Sequence, residues 1–139
     1  MSSRPPRLFL LVSQAQHRLR KATDSALEPL GISTSQLPVL FLLEKNPGAM
    51  LKDVSEALRI NASAITGLID RMETAGLVRR NPSDEDERAV HLFATPSGIA
   101  KAVAAKPIIA RLNTRLIEDF SERDIATIGR FLNSILERF

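Results

Sequence analysis

The sequence predicts a mainly α-helical protein with a small β-wing, and three observations support this class. Apolar residues recur at helical spacing through most of the 139 residues. Residues 89–94 instead alternate apolar and polar side chains, as a strand does. Residues that favour helix caps stand where the helical patterns begin and end. With 44% hydrophobic and 25% charged residues, the composition is that of a folded globular chain.

The first predicted helix extends from residue 5 to about residue 30, where Pro29 and Gly31 mark its end. Pro5 and Pro6 suit its first turn, because the N–H group that proline lacks has no helical partner there. The segment has no apolar run long enough to cross a membrane and no small-residue cleavage site, so we expect a cytoplasmic protein. Its apolar residues at helical spacing are Leu8, Leu11, Val12, Ala15, Leu19, Ala22, Ala26 and Leu27.

The second predicted helix contains about a dozen residues and ends before Asn46. Its start has two readings. Ser33 with Gln36 forms a capping-box pattern, whereas Ser35 as the N-cap would place Pro38 inside the first turn, where no hydrogen bond is lost. We expect a start between Ser33 and Ser35, and the pattern leaves the choice open.

Two helices follow in close succession. Leu51 to Leu58 predicts a short helix, and Asn61 is the predicted N-cap of a second helix that ends near Ala75, with Gly76 as its C-cap. One face of this second helix should point inward: Ile65, Leu68, Ile69 and Met72. The opposite face carries Ser63, Thr66, Gly67, Asp70 and Thr74, with Arg71 at its edge. A glycine inside a helix costs about 1 kcal/mol relative to alanine, so we expect a steric reason for Gly67.

A β-hairpin is predicted next. Its strands are residues 77–80 and 89–94, and the loop between them, from Asn81 to Arg88, is charged. The order from Leu51 to Thr95 is therefore helix, turn, helix, strand, charged loop and strand. This is the order of a winged helix-turn-helix, which places one helix in the DNA major groove and a loop beside it.

Two further helices are predicted after the hairpin. Thr95 is the N-cap and Pro96 the first residue of a long helix that contains Pro107, which should kink the helix rather than end it. Ser121 with Asp124 forms a capping-box pattern for the last helix. That helix carries an apolar stripe to the final residue: Ile125, Ile128, Phe131, Leu132, Ile135, Leu136 and Phe139. An extended apolar surface of this kind on a small protein predicts a dimer.

The composition excludes several functional classes. The chain has no cysteine, which rules out disulfides, thiolate metal sites and thiol-based switches, and it has only two histidines, so we expect no metal site and no other cofactor. It also lacks Trp and Tyr, the usual platforms for base stacking. The sequence contains no catalytic triad, phosphate loop or metal-ligand pattern, so we do not expect an enzyme. The net charge of +3 is a mild indication of a polyanionic partner.

Five isolated side chains have more than one interpretation. We expect Phe9, Phe41 and Phe120 to pack in the core rather than to line a pocket. His17 on the first helix could line an effector pocket, but an ordinary exposed or hydrogen-bonded histidine is the better prediction. We expect His91, on the strand beside the charged loop, to be exposed.

From the second helix of the pair onward, the sequence resembles the MarR family of bacterial and archaeal transcription regulators. The resemblance extends over nearly the whole chain in the right order, from Leu51–Leu58 to the final helix. Its most specific part is the Asp-x-Arg loop that follows a Gly-Leu-Val-x-Arg strand. The residues that carry it are Ile65-Thr66-Gly67-Leu68-Ile69-Asp70-Arg71-Met72-Glu73, Gly76-Leu77-Val78-Arg79-Arg80, Asp86-Glu87-Arg88 and Leu92-Phe93-Ala94-Thr95-Pro96-Ser97-Gly98.

The resemblance implies a homodimer. Within one domain of residues 1–139, residues 5–31 and 96–139 would form a helical dimerisation region, and residues 33–95 a winged helix-turn-helix DNA-binding region. In this family the second helix of each pair enters the major groove. The wing arginine, here Arg88, reaches the minor groove, and the aspartate two residues earlier, here Asp86, orients it. Small-molecule effectors often bind between the two regions and weaken DNA binding.

The residues themselves suggest how double-stranded DNA would be contacted. Ser63, Ala64, Thr66 and Gly67 suit base edges, and the amides of Ala62 and Ser63 suit a phosphate. Arg71 suits either a phosphate or an intramolecular ion pair. Arg79 and Arg80 alternate along a strand, so one should face a phosphate and the other an acid. The DNA-binding candidates are Asn61, Ala62, Ser63, Ala64, Thr66, Gly67, Arg71, Arg79, Asp86 and Arg88.

Three features depart from the family pattern. Arg59 occupies a turn position where the family often has glycine, which predicts mild backbone strain. Gly67 replaces a larger polar residue on the reading face, so fewer direct base contacts are expected. The loop carries Asp84, Glu85, Asp86 and Glu87 against Arg88, and four acids beside a phosphate backbone are unfavourable unless they point away or pair with arginines.

We therefore predict a dimeric, sequence-specific DNA-binding transcription regulator. It would be a repressor whose affinity for a pseudo-palindromic operator is lowered by a small-molecule ligand, with half-sites about 10 base pairs apart. The alternative is a winged-helix protein-interaction module with little DNA affinity, which the acidic loop and Gly67 favour. Salt separates the two, because DNA binding falls steeply as salt rises.

Overall fold

The computed structural model describes residues 7–82 and 90–139, with the backbone alone for Pro82. It confirms a mainly helical fold with a small sheet. The chain forms one unit up to Lys106 and another from Pro107 to Phe139. The elements are α1 (Leu8–Leu27), a 3-10 turn (Glu28–Leu30), α2 (Leu37–Lys45), β1 (Ala49–Met50), α3 (Leu51–Leu58), α4 (Ala62–Thr74), β2 (Val78–Pro82), β3 (Val90–Ala94), α5 (Pro96–Ile117) and α6 (Glu122–Arg138).

The helix boundaries follow the predicted capping residues closely. Helix α5 continues through Pro107, as expected, and Gly31 closes the turn after α1 with a φ of 70° and a bond to the carbonyl of Glu28. The capping hydrogen bonds are Ala64 N–H to Asn61 Oδ1 at 2.8 Å, Gly98 N–H to Thr95 Oγ1 at 3.0 Å, Asp124 N–H to Ser121 Oγ at 3.1 Å and Ser121 N–H to Asp124 Oδ2 at 3.2 Å.

The start of α2 combines features of both readings. Ser33 and Gln36 form the reciprocal capping-box bonds, with the Ser33 N–H donating to Gln36 Oε1 at 3.1 Å and the Gln36 N–H to Ser33 Oγ at 3.3 Å. A turn occupies the intervening residues, so the α-helix begins only at Leu37 and Pro38 lies in its first turn. The expected start between residues 33 and 35 is therefore early by two to four residues, because the capping box closes a turn before the helix proper.

The sheet has one strand more than the sequence predicts. Its order is β1-β3-β2 with antiparallel pairing throughout, and β1 places Ala49 opposite Leu92 and Met50 opposite His91. Strand β2 extends two residues beyond its predicted end at residue 80. The two-residue strand β1 has no periodicity of its own and forms only because β3 offers it a hydrogen-bonding edge.

The core of the first unit lies between α2, α3, α4, the sheet and the start of α5. All four residues predicted to face inward from α4 are buried, which confirms its orientation. The largest fully buried side chains are Leu27, Leu40, Leu43, Ile65, Ile69, Met72, Leu77, Leu92, Val39, Val54 and Val78. Since α4 buries one face in this way, its other face is presented to solvent.

The expectations for four single side chains are wrong. Phe9 is 85% exposed, Phe120 is 52% exposed and Phe41 is only half-buried, because the described residues do not fully cover these rings. His91 is half-buried rather than exposed, since its Nδ1 lies 2.8 Å from the carbonyl oxygen of Gly48 beside β1. His17 is exposed on α1, as predicted. None of the described helices is both long enough and apolar enough to span a membrane.

Candidate nucleic-acid interface

The turn between α3 and α4 sets the direction of α4. Arg59 adopts the left-handed conformation, with φ 54° and ψ 43°, at the C-cap of α3. The N–H of Ile60 then donates to the carbonyl of Ser55 at 3.1 Å, and Asn61 begins α4 two residues after Arg59. An L-residue other than glycine is strained in this conformation, so the predicted strain lies where the helix-turn-helix changes direction.

The first turns of α4 present small side chains to solvent. Asn61, Ala62, Ser63, Ala64 and Thr66 are all exposed. The Ser63 hydroxyl donates to Asn61 Oδ1 at 2.9 Å, and the Thr66 hydroxyl donates to the carbonyl of Ala62 at 2.9 Å. Each hydroxyl hydrogen is thus used within the helix, and the oxygen keeps lone pairs that can accept from an external donor. The amino groups of adenine and cytosine in the major groove are donors of this kind.

Gly67 lies in the middle of α4 and is half-buried. A Cβ atom built at this position would lie 3.3 Å from Nη1 of Arg71, and that is its closest described contact. Nη1 is the far end of a flexible side chain, so the fold itself has no need of glycine here. The steric reason predicted for Gly67 is therefore not found in the packing of the described residues, and its close neighbour is the Arg71 side chain.

The two arginines of β2 face opposite sides of the sheet, and one of them pairs with an acid, as predicted. Arg80 forms an ion pair and hydrogen bond with Asp70 on the exposed side of α4. Arg79 is exposed, and its guanidinium lies 4.4 Å above the ring centre of Phe93, its partner on β3. Because successive residues of a strand face opposite sides, Arg79 is on the sheet face away from Arg80 and Asp70. The structure therefore does not bring Arg79 together with the exposed face of α4.

Some residues of the interface were missed, and others cannot be placed. Phe93, which supports Arg79, was not predicted; a register for the hairpin that pairs it with Arg79 would have indicated it. The predicted wing residues Asp86 and Arg88 lie outside the described residues, as do Asp84, Glu85 and Glu87. Across residues 7–82 and 90–139, no group of three His, Asp or Glu side chains is close enough to hold a metal ion.

Comparisons with known proteins agree with this arrangement. The model of the MarR family matches residues 30–89. The transcriptional activatory protein BadR of Rhodopseudomonas palustris is 32% identical over 135 residues, which cover 94% of this chain and 77% of BadR. The organic hydroperoxide resistance transcriptional regulator of Bacillus subtilis is 30% identical over 118 residues, 83% of this chain and 80% of that protein.

Solved structures share the fold. A mutant MarR from E. coli complexed with operator DNA has a TM-score of 0.86 at 23% identity, with 94% of each chain covered. The transcriptional repressor CouR bound to a 23-mer DNA duplex has a TM-score of 0.83 at 26% identity, with 98% of this chain and 99% of CouR covered. The relatives named here are transcription regulators and not enzymes. This chain belongs to the MarR family of transcription regulators.

Proposed function

We propose that the protein is a dimeric, sequence-specific DNA-binding transcription regulator whose helix α4 enters the major groove. The observation that carries the proposal is the two-sided character of α4. Its inner face is buried, and its first turns expose small side chains that allow a close approach. Two relatives of the same fold were solved with DNA, one with operator DNA and one with a 23-mer duplex.

Each candidate residue has a proposed role on DNA. The hydroxyls of Ser63 and Thr66 accept from base amino groups, and the methyl of Ala64 contacts a thymine methyl. The free N–H groups at the start of α4, after the N-cap Asn61, bind a phosphate. Arg79 binds the phosphate backbone from the sheet. The wing residues Arg88 in the minor groove and Asp86 beside it follow from the family resemblance.

A second copy of the chain is the proposed partner of the exposed apolar helix surfaces. Residues 5–31 and 96–139 form the dimerisation region in this proposal, and residues 33–95 the DNA-binding region. Exposed large apolar residues of these two segments lie on α1, along α5, and on or beside α6: Leu8, Phe9, Leu10, Leu11, Leu19, Ile99, Val103, Leu116, Phe120, Ile128, Phe131, Leu132, Leu136 and Phe139. So many large apolar side chains on two separate segments are unfavourable in water unless another surface covers them.

We further propose that the protein represses transcription and that a small molecule releases it from DNA. The support comes from relatives: MdtR of Bacillus subtilis and the structural neighbour CouR are named repressors, although BadR is named an activatory protein. The signal does not act through a thiol, because the 139 residues contain no cysteine. A reporter gene downstream of the bound DNA decides the sign, since a repressor lowers its expression.

The test of DNA reading is fluorescence anisotropy on the DNA upstream of the gene and on scrambled DNA, across a salt series. Thr66→Val removes the hydroxyl and keeps the shape. Thr114→Val is its matched control, because the exposed Thr114 on α5 makes the same bond to the carbonyl four residues earlier, at 3.0 Å. We expect specific, salt-sensitive binding that Thr66→Val weakens by roughly fivefold or more. Weak binding that is equal on both DNAs would favour the protein-interaction module instead.

The dimer is tested by light scattering after size-exclusion chromatography. Leu132→Glu places a charge on the apolar surface of α6, where the side chain is 49% exposed in the single chain. Because the single chain does not bury Leu132, the variant should fold and elute as a monomer. Asn133→Glu, at an exposed neighbouring position, should remain dimeric. A wild-type protein that is monomeric at micromolar concentration would contradict the proposal.

A further inference from the structure

We infer that Arg71 is the specificity-determining residue of α4 and that it reads a guanine in each half-site, with its guanidinium held over Gly67. The inference rests on the proposed function, because it requires α4 to lie in the major groove. It gives Arg71 a base contact in place of the phosphate contact or ion pair that the sequence suggests. It also assigns a purpose to the glycine in the middle of the helix.

The position of the Arg71 side chain is the first step. Helical side chains lean towards the N-terminus of their helix, so residue 71 lies over residue 67, one turn earlier. The structure has this arrangement, with Arg71 Nη1 3.3 Å from the point where a Cβ of residue 67 would stand. The guanidinium thus occupies space that any larger residue at position 67 would fill, and it extends towards the small residues of the first turns.

The packing of α4 does not require a glycine at position 67. Glycine destabilises a helix interior relative to alanine. At Gly98 a buried backbone contact requires glycine, but at Gly67 the only described neighbour within 4 Å is the Arg71 side chain. Gly67 therefore destabilises the helix, but it leaves room for the Arg71 guanidinium to lie against the helix at this position.

The Arg71 guanidinium is available to an external acceptor. In the described part of the chain, ion pairs within 4 Å join Arg80 to Asp70 and Lys106 to Glu44, and Arg71 is in neither. Asp70 is the acid nearest to Arg71 in sequence on α4, and Arg80 already engages it. The Arg71 side chain is exposed. Arg71 is at the edge of the face that carries the hydroxyls of Ser63 and Thr66, and its Nη1 lies beside Gly67 on that face.

The chemistry of the guanidinium selects the base. Its planar fork donates two parallel hydrogen bonds, which match O6 and N7 of guanine in the major groove. The hydroxyl oxygens of Ser63 and Thr66 accept instead, because their hydrogens are used within the helix. Arg71 is then a charged donor beside the neutral acceptors Ser63 and Thr66. This face of α4 is therefore complementary to a guanine that neighbours an adenine or a cytosine, whose amino groups are donors in the major groove.

The experiment uses the full-length protein and an operator selected from random DNA with the wild type. Each guanine of the operator is replaced in turn by 7-deazaguanine, which lacks the N7 acceptor. We expect one replacement in each half-site to weaken wild-type binding about tenfold. Arg71→Lys keeps the charge and loses the fork, so it should bind weakly and no longer distinguish that guanine from 7-deazaguanine. Arg111→Lys, an exposed arginine on α5, is the control and should behave as the wild type.

Gly67→Ala provides an independent test. The new methyl would lie 3.3 Å from Nη1 and would shift the guanidinium by a few tenths of an ångström, so this variant should weaken the preference for guanine while its melting temperature stays the same or rises. Unchanged discrimination in Arg71→Lys and Gly67→Ala, with specific binding by the wild type, would overturn the role of Arg71 and leave the proposed function standing. A wild type that selects no operator would overturn both.

Discussion

Arg80 on β2 pairs with Asp70 on α4, and this pair links the wing strand to the helix that we propose enters DNA. The two elements are otherwise joined by a short turn, in which Gly76 has a φ of 75°. The Arg80 side chain is half-buried, and its Nε has no hydrogen-bond partner among the described residues. The pair also places a positive charge beside Asp70, which would otherwise present an uncompensated negative charge to a DNA phosphate.

Asp70→Asn should lower the free energy of unfolding by about 0.5 to 1 kcal/mol, because it breaks a partly exposed ion pair that water and salt already weaken. The loss should be larger at low salt than at high salt. Urea denaturation at two salt concentrations measures it, in a double-mutant cycle with Arg80→Gln. Glu44→Gln is the comparison, since its pair with Lys106 is longer, at 3.5 Å, and should contribute less. Additive effects of the two changes at positions 70 and 80 would show that the pair does not stabilise the fold.

Gly98→Ala should destabilise the protein by at least about 2 kcal/mol. The added Cβ would clash with the carbonyl oxygen of Leu77 and would lie 3.0 Å from Cδ2 of Leu40, so the start of α5 would have to move away from both residues. Thermal denaturation measures the loss. Gly67→Ala is the matched control, because its Cβ meets only a flexible side-chain end and should leave stability unchanged or raise it by up to about 1 kcal/mol. Equal melting temperatures for the two variants would contradict the close approach at Gly98.

Arg59→Gly should be more stable than Arg59→Ala by about 1 kcal/mol, because both variants remove the arginine side chain and its contacts but alanine keeps the Cβ that is unfavourable at a φ of 54°. The difference between them therefore isolates backbone strain at the turn before α4. Chemical denaturation of both variants measures it. If the alanine variant is as stable as the glycine variant, the turn in solution is not left-handed at this residue.

Asp24 should make stability depend on acid pH. The Thr34 hydroxyl, the Thr34 N–H that donates to Asp24 Oδ1 at 2.7 Å, and the nearby charge of Arg20 hold the pKa of Asp24 below the ordinary value. The unfolded chain therefore binds the proton more readily. The contribution of Asp24 is present above the unfolded pKa of about 3.9 and is lost as the pH falls through the lower folded pKa.

The comparison of Asp24→Asn with the wild type tests this dependence. The variant should have a lower free energy of unfolding than the wild type at neutral pH, and this difference should become smaller as the pH is lowered. Thr34→Ala should remove part of the same pH-dependent gap, because the Thr34 hydroxyl is the largest cause of the lowered pKa. The urea concentration at the midpoint of unfolding, measured across the acid pH range, gives the relative stability of all three proteins. A gap that stays constant with pH would show that the carboxylate charge is not stabilised in the folded chain.

Features of the fold that depend on neighbours in sequence were predictable. The N-caps Asn61, Thr95 and Ser121 act on N–H groups three residues ahead, so their residue types alone indicate where helices begin. The inward face of α4 follows from helical periodicity in the same way. These local patterns determined the order helix, turn, helix, strand, loop and strand, and with it the family.

Features that depend on residues far apart in sequence were decided by the tertiary structure. Strand β1 exists because Leu92 and His91 lie beside it, and His91 is half-buried for the same reason. Gly98 and Leu77 approach each other only when the start of α5 lies against the backbone of the residue before β2. The sequence indicated that one of two arginines would pair with an acid, but only the packing of β2 against α4 selects Arg80 and Asp70. Periodicity and capping report the backbone within a few residues, whereas these contacts depend on how whole elements are placed against one another.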